Sequence, residues 1–369
     1  MQSFFFVPIC FHYSFQNSNL QNCGAGLKIK GMRKTVKILL YIIGILFALY
    51  AVLGIIPRGK NYKQTNAVRS DSSLPILIAH GGGNKEFPDN TLEAFYNAYS
   101  VDNRVIMETD VSLTRDNVLI LSHDITLDRK TNVTGYISDW NYSDLIAQKV
   151  DFSYTNPTNS SQHLTGQRVH FKTDSGQRVY PTDVDYPEGV TARDSKVFLA
   201  TTLEELLVAF PENRINVEIK QSGEQGMRAL QEALRLLRKY DAFDRVVLAS
   251  FHEEIYEEFK RLKAEGEVPE NFMFSPSESA VTKFYVTQLL NVDFAFTDQI
   301  CVLQVPTEQY GISLSMYHFV KAAHRHNIAV HYWTIDDVSE MRRLIDLGCD
   351  GIETNYPHRL KEVLESYSI

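Results

Sequence analysis

From residue 74 to the end of the chain, short apolar runs alternate with longer stretches whose apolar positions recur every three or four residues. The runs predict strands at 74–79, 105–111, 118–121, 216–220, 245–250, 293–296, 328–334 and 351–354. The stretches between them predict helices at 91–100, 224–240, 253–263, 315–327, 337–347 and 359–367. Another helix opens at Thr202, whose spacing to Glu205 is that of a capping box, and runs to Phe210. About eight strands alternating with helices specify a parallel α/β sheet. Periodicity alone leaves open whether that sheet closes into a barrel or stays doubly wound.

Two segments break the rhythm. Residues 151–195 are rich in Asp, Ser, Thr, Tyr and Gln, and Gly166-Gln-Arg-Val169 recurs there as Gly176-Gln-Arg-Val179. A hairpin around 172–175 is expected, in an insertion of the kind that shapes specificity over a site or merely decorates the surface. The other break is residues 38–56, an uncharged run apolar on every face. At 1.5 Å per residue it spans roughly 28 Å, the thickness of a bilayer's hydrocarbon core.

Lys28, Lys30, Arg33, Lys34 and Lys37 precede that run, and no acid does. The positive-inside rule then places a leader (1–37) in the cytoplasm and everything after the anchor (38–56) outside. A cleaved signal peptide is the rival, against which stand the length of the run and the lack of an A-x-A site. Met32-Arg33-Lys34 resembles a start in its own right. Residues 57–73 are polar and without period, so they read as a tether, and 74–369 as the folded domain.

Net charge is −8 with no basic stripe, which argues against nucleic acid as a partner. The four cysteines (Cys10, Cys23, Cys301, Cys349) are scattered, with no zinc or disulfide pattern. Cys301 and Cys349 are expected as buried apolar side chains.

Charged residues gather at the strand ends. His80 ends the first strand, Glu108 and Asp110 sit two apart in the second, and His123-Asp124 follows the third. Glu218 and Lys220 sit two apart in the next. Residues i and i+2 of a strand share a face, so each pair points one way. Three carboxylates without thiolates suit a hard cation, Mg²⁺ or Ca²⁺. The two histidines are acid and base candidates near neutral pH.

The stretches IAHGGGNKEFPDNTLEAF and METDVSLTRDNVLILSHDITLDRKTN, with NVEIK, LASFH, HYWTID and DGIETNYP further on, resemble the glycerophosphodiester phosphodiesterase family. The resemblance covers about residues 74–362. It implies a TIM barrel that hydrolyses glycerophosphodiesters to an alcohol and glycerol 3-phosphate; the expected export and the long insertion point to deacylated phospholipids or polyglycerol-phosphate polymers as the substrate. It implies Glu108, Asp110 and Glu218 as metal ligands, His80 and His123 as the acid–base pair, and Lys220 on a phosphate oxygen. Trp333 would line the glycerol or head-group pocket. Two positions depart from the family pattern. Gly81 stands where the family has a phosphate-binding arginine, so backbone N–H groups of Gly81 and Gly82, or Arg129, are the substitutes to expect. Asp89 replaces a glutamate before Asn90 and would reach a metal only through water.

The HGGG run also resembles a lipase oxyanion loop, but the chain has no G-x-S-x-G elbow. The alternatives that stay open are phospholipase D-like or lyase action on lysolipid head groups, and a weakened, membrane-tethered phosphodiester-binding protein.

Overall fold

A computed structural model describes residues 25–155 and 168–367; the first part of the leader, with Cys10 and Cys23, and Gly166 of the sequence repeat lie outside them. Contacts divide the chain into two units, Met1–Ile55 and Ile56–Ile369. The first contains one helix, Ala25–Ile55. Its Lys34–Ile55 portion is long and apolar enough to cross a membrane, and none of it is buried.

The second unit is a TIM barrel. Its eight strands are β1 (Ile76–Ala79), β2 (Ile106–Leu113), β3 (Ile215–Ile219), β4 (Val246–Ala249), β5 (Met273–Phe274), β6 (Val302–Val305), β7 (Ala329–Tyr332) and β8 (Gly351–Thr354). They are hydrogen-bonded in parallel from β5 through β4, β3, β2, β1, β8 and β7 to β6. The Cys301 N–H donates to the Phe274 carbonyl (3.3 Å) and draws the two end strands together. The strand at Leu119–Leu121 is a short antiparallel addition to β2.

Alternation along the strands sorts two cores. Leu77, Met107, Val217 and Leu248 face outward into the layer of helices. Ile78, Ile106, Val247, Met273, Val302 and Ala329 form a separate cluster inside the barrel, joined by Tyr62 and Val68. The capping box forms as read: Glu205 N–H donates to Thr202 Oγ1 (3.0 Å) and Thr202 N–H to the Glu205 carboxylate (2.7 Å).

Three expectations are revised. Residues 57–73 do not run free as a tether but cross the barrel's N-terminal pole. Asn66 Nδ2 donates to the Cys301 and Asn327 carbonyls, and Tyr62 and Val68 are buried. Arg58 is paired with buried Asp293 at 2.7 Å. These are contacts of single residues, which carry no period. Residues 293–296 are not a strand: Asp293–Ala295 is a 3-10 turn whose aspartate also takes Arg325 and His326. The missing staves are β5 and β6. In the insertion, Thr173–Gln177 makes the turn, but the paired strands are Tyr154–Thr155 and Val169–His170. Cys301 and Cys349 are buried free thiols, as expected.

Candidate active site

β1 ends at Ala79, and from His80 the chain turns sharply through Gly81, Gly82 and Gly83, all at positive φ. The turn admits only glycine at its centre. A Cβ on Gly82 would lie 2.7 Å from Ala94 Cβ and 2.9 Å from the Ala94 carbonyl carbon. The Gly81 N–H donates to Glu108 Oε2 (2.9 Å) and the Gly83 N–H to the His80 carbonyl. Gly81 is thus committed to a carboxylate rather than free for phosphate.

His80 is held from the neighbouring strand, β8. Its Nδ1 lies 2.7 Å from Asn355 Oδ1. Asn355 gives its own Nδ2 and N–H to Asp336 (2.7 and 2.9 Å), which fixes the amide with its oxygen toward the histidine. Asn84 Nδ2 lies farther from His80 Nδ1 (3.3 Å), so the shorter contact assigns the proton to Nδ1 and leaves Nε2 facing the mouth. Nε2 lies 4.0 Å from Glu353 Oε1.

β2 and β3 run in register with Asp110 beside Glu218. Lys220 Nζ bridges them, 3.2 Å from Asp110 and 2.9 Å from Glu218. Asn90 Nδ2 donates to the other Asp110 oxygen (3.1 Å), so Asn90 braces the strand. Lys220, expected on the phosphate, is fixed at the edge of the mouth by two carboxylates. Among the described residues, the donors within 4.8 Å of one another are His80, Glu108 and Glu353, whereas Asp110 and Glu218, expected beside Glu108 on the ion, are drawn to Lys220.

His123 Nδ1 lies 2.8 Å from Asp124 Oδ1, and Arg129 Nε donates to Asp124 Oδ2 (2.7 Å). Arg129 also reaches Asp89 at 3.5 Å, and buried Lys130 pairs with Asp89 at 3.1 Å. Arg129 and Asp89 thus brace the His123 loop, and neither reaches in toward a phosphate or a metal. Trp333 follows β7, edge-on to Phe251 with ring centres 6.3 Å apart. Both line an apolar cavity of about 130 Å³ with Tyr285, Pro306, Tyr310 and Ile312.

Burial and mutual repulsion dominate the electrostatics. Burial, then Asp110, raises Glu108 well above the usual carboxylate range; burial, then Glu108, does the same to Glu353. Glu218 is raised by burial, against the pull of Lys220. Burial would raise Asp110 too, but Lys220 and the histidines outweigh it and hold it low. The hydrogen bond to Asp124 raises His123 against the opposing effect of burial. Buried oxygen donors that resist ionising together are the environment a hard divalent cation relieves, so the residues fit such an ion.

Glu353 was not anticipated. Its signal was there to read, since it is the one charged residue in β8 and stands at a strand end as His80 and Glu218 do. Asn355 and Asp336 gave no such signal, because their role is to orient another side chain.

These groups lie at the C-terminal end of the barrel strands, where enzymes of this fold build their active sites, and they suit a divalent cation and a charged substrate. Residues 80–359 match the model of the glycerophosphoryl diester phosphodiesterase family. The human lysophospholipase D GDPD1 is 25% identical over 312 residues, covering 79% of this chain and 86% of that protein. The glycerophosphodiester phosphodiesterase of Bacillus subtilis is 23% identical, covering 79% and 87%. A phosphodiesterase of Oleispira antarctica, solved with the product sn-glycerol-3-phosphate, shares the fold at a TM-score of 0.55 and 18% identity. That comparison covers 79% of this chain and 97% of the other. The chain belongs to the glycerophosphoryl diester phosphodiesterase family and is a phosphoric diester hydrolase that splits glycerophosphodiesters to an alcohol and glycerol 3-phosphate.

Proposed function

We propose that His80 and His123 are the base and the acid of this hydrolysis, across a divalent cation, Mg²⁺ or Ca²⁺, bound by Glu108, Asp110 and Glu218. The observation that carries the reading is the opposite fixing of the two imidazoles. His80 turns its Nδ1 to the Asn355 side-chain oxygen, which leaves Nε2 toward the mouth. His123 keeps its proton because Asp124 raises its affinity for one. His80 removes the proton of the attacking water as its oxygen bonds to phosphorus, and His123 protonates the alkoxide as the other P–O bond breaks. Lys220 contributes positive charge beside the phosphate. The cation supplies polarisation of the phosphoryl oxygen. The test is glycerol 3-phosphate release from glycerophosphocholine, with EDTA, Mg²⁺ and Ca²⁺ arms, beside His80→Ala. Release that persists in EDTA or in the variant refutes the assignment.

A second reading rests on the apolar cavity beside Trp333. It would accept part of an acyl chain, so the same chemistry would cut the head group from an intact lysophospholipid, the activity named for the human relative. The apolar run of Lys34–Ile55 and the basic residues before it support a single-pass membrane anchor with the barrel outside the cell. A domain plan of leader 1–37, anchor 38–56 and barrel from there on accords with this placement. Protease accessibility on intact cells tests it: protection of the barrel would reverse the topology.

A further inference from the structure

Four carboxylates meet at the mouth, those of Glu108, Asp110, Glu218 and Glu353, and one fixed cation, Lys220, stands among them. Of the nearest other bases, Arg129 and Lys130 are balanced by Asp89 and Asp124, which leaves the charge of His123 over. Position 81, directly after His80, is glycine and adds no charge. One divalent cation leaves this group with a single excess negative charge, and a bound phosphodiester adds another. Like charges held this close and out of water need cations between them to stay ionised. The charge of His123 offsets only part of that excess.

Glu353 marks where that ion sits. It is 5% exposed, and no donor among the described residues gives its carboxylate a hydrogen bond. The His80 Nε2 that faces it, at 4.0 Å, is beyond hydrogen-bond range. A buried carboxylate with no hydrogen bond is costly, and this one lies beside a second carboxylate, Glu108, which accepts a single backbone N–H. The separation of at most 4.8 Å among the Glu108, Glu353 and His80 atoms suits ligands of one ion. Opposing oxygens on a Ca²⁺-sized ion stand roughly 4.6–5.2 Å apart.

We propose that Glu353 and Glu108 hold a second divalent cation beside the first, with Glu108 shared between the two; this rests on the reading that places the first ion at Glu108, Asp110 and Glu218. Two fixed carboxylates with water and phosphate oxygens completing the shell is a common arrangement for a hard ion. The second ion offers the phosphate the positive charge that Gly81 does not, and His80 Nε2 remains at its edge to accept a proton.

The test uses the full chain in detergent, stripped of metal and loaded with Mn²⁺ in the presence of glycerol 3-phosphate. Bound manganese is counted by mass spectrometry and its environment read by electron paramagnetic resonance. The expected result is two Mn²⁺ per chain with a spin-coupled spectrum. Glu353→Gln, the same size without the charge, should drop the count to one and give the six-line spectrum of an isolated ion. A count of one in the unaltered chain overturns the proposal without reference to any variant, as does a count of two in a folded Glu353→Gln protein. If the unaltered chain binds one ion and turns over substrate, only the second ion is refuted. If it binds none and releases no glycerol 3-phosphate, the underlying reading falls as well.

Discussion

Gly82→Ala tests the turn that delivers His80 to the mouth. Two costs are expected, and the structure allows them to be separated. The first is conformational: Gly82 sits at φ 83°, where an L-residue is strained by about 1–2 kcal/mol. The second is steric. The added methyl would lie 2.7 Å from Ala94 Cβ, 2.9 Å from its carbonyl carbon and 3.0 Å from Phe95 N, and optimal carbon separations are about 3.5–4.0 Å. Two of those three atoms are helix backbone, which cannot swing aside, so overpacking of about 1–3 kcal/mol is expected. Gly189 provides the control. Its φ is 82°, and a Cβ there meets nothing within 4 Å, so Gly189→Ala carries the conformational cost alone. Both variants and the unaltered protein would be unfolded in urea, and hydrolysis would be followed in parallel. Gly82→Ala should lose about 2–5 kcal/mol and most activity; Gly189→Ala should lose about 1–2 kcal/mol and keep its activity. Equal losses from the two substitutions would show that the close approach to Ala94 carries no energy, and the steric reasoning would be refuted.

Other perturbations probe the remaining parts. Asp124→Asn removes the charge that keeps His123 protonated; kcat should fall about 10²-fold or more, and the alkaline limb of the pH–rate profile should move to lower pH. An unmoved limb would take the acid role from His123. Asp89→Asn breaks the pair with buried Lys130 and should cost about 3–5 kcal/mol in urea unfolding. Burial would raise Asp89, but Lys130 and Arg129 outweigh it and hold its folded pKa below the unfolded value. Its stabilisation is therefore complete above the ordinary carboxylate range and lost as pH falls, so the gap between variant and parent should close in acid. Adding Ca²⁺ or Mg²⁺ at 100 times its dissociation constant should stabilise the fold by about 2.7 kcal/mol, and EDTA should reverse it. Trp333→Ala should raise KM for a lysophospholipid while leaving that for glycerophosphocholine nearly unchanged; equal effects would remove the case for an acyl chain in the cavity.

What could be read from the residues alone depended on whether a feature was local. The Thr202–Glu205 box was legible because both partners lie within one turn. The pairs Glu108–Asp110 and Glu218–Lys220 were legible because a strand repeats every two residues. β5 was not, since two residues show no period. Residues 57–73 read as unstructured because asparagine side chains and isolated apolar residues hold them to carbonyls far along the chain. The roles at the mouth were harder still. Whether Lys220 faces a phosphate or two carboxylates, and which imidazole nitrogen of His80 is free, are decided by partners on other strands.

The crossing of the barrel's N-terminal pole has a consequence for the order in which the protein is made. Arg58 and Asp293 are 235 residues apart in sequence, and Val68 and His331 are 263 apart. At 5–20 residues per second a ribosome takes roughly 12–50 s to bridge that interval. The segment that emerges first among the barrel residues is therefore among the last to be seated. Through most of synthesis Tyr62 and Val68 have nowhere to go, and the apolar interior they later cover stands open at that end.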